Sequence, residues 1–550
     1  MSSSEYVWYN DLSAQFLGSG YLLPNQSLDE KVSLICNRTE QISGIVGVGD
    51  RLKTAIKKGW ISPSTPIWSN YGEVRGLPIS CFGSTVGEDN LESILYANSE
   101  VAMMSKHGGG TSMYLTPLRS RGTPISAGGH SSGSVHFAEM FDKTISLVSQ
   151  NGIRRGNMAA YLDIDHPDIM EFLHIKHEGH PIQDLSTGVC VTNSWLDSMK
   201  AGDVEKRKIW AKVIESRFNT GYPYLFFADN ANGSTKPKCY KKTPILHSNL
   251  CNEISLPTTV DESFVCCLAS LNVARYNEWE HTDVVELVTI LLDSVMTEFI
   301  EKASTIPYME RAVKFARRHR ALGIGILGYH SYLQSQMIAF ESMEAKIVNV
   351  QIIKNIRSKA YAASEMLAEL LGKPEVLAND NRRNTTLLAI APTKSSAFIL
   401  GQVSEGIEPH RSNYFIKDLA KGKFSIRNPH LEILLEQRGL NTEETWQSIL
   451  RNQGSVQHLE GLSADEKSVF KTFQEISPME IIIQAGQRQK YIDQGQSLNL
   501  MIHPQTPIKQ VNELILTAVE LGIKGLYYQI GINAAQEFRN NVLACTSCEG

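Results

Sequence analysis

The sequence has no run of about 18 apolar residues, which excludes a membrane-spanning helix. It opens MSSSEYVWYNDLSAQ, with no basic segment leading into an apolar one. A secretory leader is therefore not expected, and a cytoplasmic protein is. Neither sign of charge is in excess. Lys and Arg number 53 against 58 Asp and Glu, a net −5, which argues against a protein that coats nucleic acid. There is no internal repeat and no low-complexity segment. Cysteine is scarce: nine in 550 residues, at 36, 81, 190, 239, 251, 266, 267, 545 and 548. In a reducing compartment these build no structural disulfide framework. Zinc-like spacing is missing too, because 266 and 267 are adjacent, a poor chelate, and 545/548 lies where chain ends fray. A Cys-x-x-Cys at such an end is placed to swing and exchange disulfides.

What is present is an alternation. Residues 1–60 read as mostly helical, through LDEKVSLICNRTEQISGIVGV and RLKTAIKKGW. From 61 onward, short runs bounded by Gly, Pro, Ser and Asn (ISPSTPIWSN, GLPISCFGS, NMAAYLDID) alternate with helical stretches. That pattern predicts an α/β fold rich in parallel sheet. GIGILG at 323–328 has dinucleotide-binding letters, but RRHRAL precedes it where a hydrophobic strand is required. The acids of DIDHPDIME fit a helix start near Pro167 better than a calcium loop. His174, His177 and His180 read as a helical face.

The stretch HSNLCNEISLP, 247–257, carries chemistry. Read as a strand, it turns Asn249, Cys251 and Glu253 to one face: an amide, a thiol and a carboxyl in a row. A lone buried cysteine is usually a small core residue. Three more stretches weigh against that: LPISCFGSTVGEDNLESI with Cys81, VCCLASLNV with Cys266 and Cys267, and GIKGLYYQIG with Tyr527 and Tyr528. Together and in this order, with the terminal cysteine pair, they resemble the large catalytic subunit of class I ribonucleotide reductase. The likeness runs from about residue 61 to the C-terminus.

The resemblance implies a ten-stranded α/β barrel of two half-barrels with Cys251 on a central finger loop, which would make 247–257 a loop and not a strand. It divides the chain into a helical region 1–60, a catalytic barrel 61–530 and a flexible redox-active tail 531–550. Cys251 would carry the thiyl radical that removes the ribose 3′ hydrogen. Glu253 would take the 3′-OH proton, and Asn249 would hold the hydroxyls. Cys81 and Cys266 would be the dithiol that reduces the substrate. Strand alternation lets only one of 266 and 267 face the site, and the resemblance selects 266. Cys545 and Cys548 would re-reduce that pair and be re-reduced by thioredoxin or glutaredoxin. Tyr527 and Tyr528 would relay the radical, which requires a distorted strand with Gly525 beside it.

Thr393, Lys394, Ser395 and Ser396 in APTKSSAFIL match the element that binds substrate phosphates, with Thr65 and Ser80 nearby. Lys394 stands where the pattern has an acid. Asp89 and Arg119 match effector contacts. SQNGIRRGN, 149–157, matches the mobile loop that couples effector to substrate, and its Arg154 would reach the substrate. The resemblance also implies a homodimer, a nucleotide effector, and a radical-generating small subunit that holds the metal cofactor, with none bound in this chain. The first 60 residues lack a VxKRDG-like start, so an N-terminal ATP cone is not expected. A cobalamin-dependent reductase of the same fold needs no tyrosine relay, and LYYQ argues against it. The intact Asn249/Cys251/Glu253 row argues against a non-catalytic nucleotide-binding subunit.

Overall fold

The structure, a computed structural model, describes residues 5–126, 128–150, 154–419 and 422–531. At its centre is a closed ring of strands in two halves of five. The first half is parallel, in chain order: Cys81–Thr85, Thr111–Tyr114, Met158–Asp163, Ser186–Val191 and Tyr224–Phe227. The second half starts with Phe264–Asn272 and Leu322–Leu327, also parallel. It continues through single-residue bridges from Ile324 to Leu388 and from Ile390 to Gln496. The Leu500–Ile502 strand then pairs in parallel with Gln529–Gly531. Two antiparallel seams close the ring, residues 81–83 against 264–266 and Gly525–Leu526 against 225–226. This is the expected ten-stranded barrel of two half-barrels.

The strands are short and buried on both faces, as parallel strands under helices are. The Val284–Ala303 helix covers the outside of Phe264–Asn272, and Cys267 Sγ donates to its Leu292 carbonyl at 3.3 Å. Cys267 therefore points away from the barrel interior. GIGILG lies within the strand Leu322–Leu327 rather than after one. A Cβ on Gly323 would stand 2.3 Å from Leu268 Cδ2, and one on Gly325 2.8 Å from the Ala389 carbonyl. These glycines let neighbouring strands approach.

Three helices, Asp11–Phe16, Leu28–Ser43 and Val48–Lys57, occupy the N-terminal stretch. Leu28–Ser43 starts at a capping box of Ser27 and Glu30 and stops at Gly44, whose φ of 68° suits glycine. Its Arg38 bonds Glu298 on the covering helix at 2.8 Å. The chain joins the sheet at Ile61–Pro63, antiparallel to Phe264–Asn272. Among the described residues no helix is long and apolar enough to cross a membrane.

Candidate active site

Residues 247–257 form a turn and an irregular loop buried inside the ring, as the finger loop implied by the resemblance requires and not the strand that their alternation suggests. Of the three residues read as a row, Asn249 folds the loop on itself. Asn249 Oδ1 accepts from the backbone N–H groups of Glu253 (3.0 Å) and Ile254 (3.1 Å). Ser248 Oγ donates to the Ile254 carbonyl at 2.6 Å. Asn252 sits at φ 62°, a left-handed residue that asparagine tolerates. The barrel wall grips the loop from two sides. Tyr161 Oη donates to the Asn249 carbonyl (2.7 Å), and Ser497 Oγ to that of Cys251 (2.6 Å). A buried loop must satisfy its backbone somewhere, and here the barrel supplies the partners.

The loop presents its chemistry to the first seam. Cys81 and Cys266 are direct partners across that seam, both buried free thiols. Asn249 Nδ2 donates to Cys81 Sγ at 3.1 Å, and Cys81 Sγ lies 3.9 Å from Glu253 Oε1. Ser497 Oγ donates to the other Glu253 oxygen at 3.3 Å. Gln494 Nε2 donates to Cys266 Sγ at 3.5 Å. Burial, then the neighbouring Cys267, push the Cys266 thiol well above its ordinary pKa, so at neutral pH it holds its proton. Cys81, Cys251 and Glu253 all line one cleft, together with Ser80, Asn157 and Leu268. Cys251 is 8% exposed, while Glu253 and Asn249 are 1% and 0%.

The other predicted residues fall around this cleft or apart from it. Ser80 lines it, and its Oγ donates to Ser64 Oγ at 3.0 Å, next to Thr65 at the start of the Thr65–Asn70 helix. Ala391 and Pro392 line it too, and Thr393 and the Lys394–Ile399 helix, with Ser395 and Ser396 in its first turn, follow them directly in the chain. Thr393 Oγ1 is engaged, accepting from Gly406 N at 2.7 Å. Asp89 and Arg119, on loops after the first two strands, pair with each other: Arg119 Nε bonds the Asp89 carboxylate and Nη2 its carbonyl. In the 149–157 stretch, Ser149–Gln150 pairs antiparallel with Arg154–Arg155. Its last residue Asn157 lines the cleft. Residues 151–153, Cys545 and Cys548 lie outside the described residues.

Tyr527 and Tyr528 sit where the strand breaks. Gly525–Leu526 pairs with one neighbour and Gln529–Gly531 with another, and between them the two rings lie tilted by 53° with centroids 4.2 Å apart. A regular strand would have sent them to opposite faces. They share an apolar cluster with Cys251, Leu250, Tyr222 and Tyr224. Sequence reasoning missed Gln494, Ser497 and Tyr161. In YIDQGQSLNL the repeated polar residues inside an otherwise apolar run were a usable sign for the first two; Tyr161 in NMAAYLDID carried none.

The sequence pattern of the family described as Ribonucleotide reductase, barrel domain, matches residues 79–205, 195–381 and 375–529. The chain is 50% identical to the Actinobacillus ureae class Id ribonucleotide reductase alpha subunit, with a TM-score of 0.91 over 98% of this chain and 99% of that one. It is 33% identical to the ribonucleoside-diphosphate reductase large subunit of Invertebrate iridescent virus 3, over 88% of this chain and 87% of the relative. The large subunit of Danio rerio is 30% identical over 86% and 69%. The chain thus belongs to the ribonucleotide reductase large-subunit family.

Proposed function

We propose that this chain is the catalytic subunit of a class I ribonucleotide reductase, converting ribonucleoside diphosphates to 2′-deoxyribonucleotides. The observation that carries the reading is the convergence of Cys81, Cys251 and Glu253 on one cleft, with Asn249 and Cys266 directly behind. The diphosphate substrate follows the names of the relatives.

The roles follow from chemistry and placement. A thiyl radical on Cys251 removes the 3′ hydrogen while Glu253 takes the 3′-OH proton. The 2′-OH then leaves as water, with a proton from the dithiol. Cys81 and Cys266 give two electrons and join as a disulfide, and Cys251 returns the hydrogen to C3′. In sum, one ribonucleotide and two thiols give one deoxyribonucleotide, one disulfide and water. Ser497 and Asn249 fix the carboxylate and the Cys81 thiol without occupying the cleft.

The radical arrives from a small subunit, through Tyr528 and Tyr527, and that partner holds the metal. The tail pair Cys545/Cys548 passes electrons from thioredoxin or glutaredoxin to the barrel. The phosphates rest at Thr65, Ser80 and 393–396, and Arg154 reaches the substrate from the 149–157 stretch. A nucleotide effector binds at Asp89 and Arg119 in a homodimer. Binding there must part their ion pair, which makes effector affinity salt-dependent.

The test is a reduction assay with and without a radical-generating subunit. Cys251→Ser should abolish turnover and keep nucleotide binding, since a hydroxyl forms no comparable radical. Turnover by the serine variant, or by the chain with no partner, would sink the reading.

A further inference from the structure

Four tyrosines meet at the second seam, twice the number a two-ring relay needs. Tyr222 and Tyr224 pack on the Tyr527/Tyr528 pair, with centroids 5.2 Å from Tyr222 to Tyr528, 4.7 Å from Tyr224 to Tyr527 and 5.1 Å from Tyr224 to Tyr528. Rings this close exchange electrons readily, so a radical passing Tyr528 has more than one destination. The side branch through Tyr222 is open for the proton as well. Tyr222 Oη donates to Tyr528 Oη at 3.2 Å. Along that bond the electron and proton of the Tyr222 hydroxyl pass together to an oxidised Tyr528. Tyr222 is left oxidised and Tyr528 reduced, and no other reactant is needed. The Tyr224 Oη makes no hydrogen bond to Tyr528 as well formed as that of Tyr222, so its branch is the poorer of the two for such an exchange.

One cation addresses the open branch. Lys176 is 1% exposed, and its Nζ lies 5.2 Å from the centroid of the Tyr222 ring. The ammonium is held in place by a bond to the Gln183 carbonyl. Lys176 has φ 77°, an uncommon backbone for a residue with a Cβ, so the surroundings hold it there. A cation over a ring face is attracted by the ring's electron density, and oxidation withdraws that density. The contact therefore favours the reduced ring.

We propose that Lys176 guards the radical route: its ammonium over Tyr222 keeps that ring reduced and confines the radical to Tyr528, Tyr527 and Cys251. Lys176 is a positioning residue for the radical and touches no substrate. The proposal rests on the relay reading above.

The experiment uses the full chain reconstituted with its radical-generating subunit, a ribonucleoside diphosphate and a small dithiol. It counts turnovers before activity stops and looks by electron paramagnetic resonance for a new tyrosyl signal. Lys176→Met should cut the turnovers per complex by about three- to thirtyfold, the Boltzmann weight of a desolvated cation–π contact. A tyrosyl signal should accumulate. Lys176→Arg, which keeps the charge, should stay near wild type. Tyr222→Phe placed in the Lys176→Met background should restore the turnovers and remove the signal. A merely structural lysine would not be rescued by a second, unrelated truncation, so a double variant as poor as the single one overturns the guard. Should Lys176→Met fail to fold, Tyr222→Phe alone decides: it should keep at least about a third of the rate, and loss of turnover would put Tyr222 on the route. Tyr527→Phe separates the two readings, because turnover in that variant removes the relay itself.

Discussion

The two seams that join the half-barrels are built alike and carry opposite kinds of order. Both are short antiparallel contacts between parallel halves. At the first, register runs unbroken through three residue pairs and sets Cys81 against Cys266. At the second, pairing lasts two residues and then the strand changes neighbours, leaving Tyr527 and Tyr528 in the gap. On the proposed reading, two thiols that close to one bond need a fixed cross-strand partner, which a ladder provides. Two adjacent rings brought within 4.2 Å of each other need the ladder interrupted, since an intact strand parts adjacent residues. The buried loop 247–257 lies between, bonded to Gln494 and Ser497 in the second half and to Tyr161 in the first. It thus holds Cys251 to both chemistries.

The largest effect should come from the second seam. Tyr527→Phe should lower turnover on the order of 10³-fold or more, the residual set by whatever partner-independent route remains. Nucleotide binding should be unchanged by calorimetry, because the substrate cleft is lined from elsewhere. Substantial activity would mean that the break in the strand is a packing accident.

The first seam should fail differently. Cys81→Ser or Cys266→Ser should cost about a hundredfold in steady-state turnover with every reductant, small dithiols included, since the electron donor itself is gone. Cys545→Ser and Cys548→Ser should fail with thioredoxin and keep much activity with a small dithiol. Cys267→Ala, next to Cys266 but turned to the Leu292 carbonyl, should stay within about twofold of wild type, as distant core truncations do. Equal losses at 266 and 267 would contradict the facing that the seam imposes.

How much of this was legible depends on how local each feature is. The split between Cys266 and Cys267 follows from alternation along one strand and needs no other part of the chain. The parallel first half showed as short apolar runs between helices. The loop 247–257 read as a strand because its polar residues alternate. Their partners are backbone groups four to six residues away and side chains some 240 residues on, which no local pattern reveals. The bridges at Leu388, Ile390 and Gln496 are one residue wide, too short for any periodicity. Lys176 over Tyr222 joins residues 46 apart in sequence, in stretches that gave no sign of each other.

The smallest effect separates the seams by pH. Lys524 precedes Gly525 in the second seam, where its carbonyl accepts from Phe227 N at 2.8 Å. Its Nζ is buried and donates to the Asp493 carbonyl at 2.5 Å. Burial pulls its pKa from the ordinary 10.5 down to about 7, against a smaller opposing pull from Asp493. Asp493 cannot serve it fully, because its carboxylate is already taken by Tyr361, Arg357 and the N–H groups of Leu387 and Leu388. Below about pH 7 the lysine is charged both folded and unfolded, and the cost of burying it is present in full. Between about 7 and 10.5 the unfolded chain binds more protons than the native one, so stability rises with pH. Lys524→Met removes this dependence. Melting curves of both proteins at pH 6 and pH 9 should show wild type gaining about 1–4 °C on the variant over that interval. A constant gap would mean that the lysine stays charged throughout, with water reaching the seam. The cluster of rings beside it would then be a wetter and less selective path for a radical than its packing indicates.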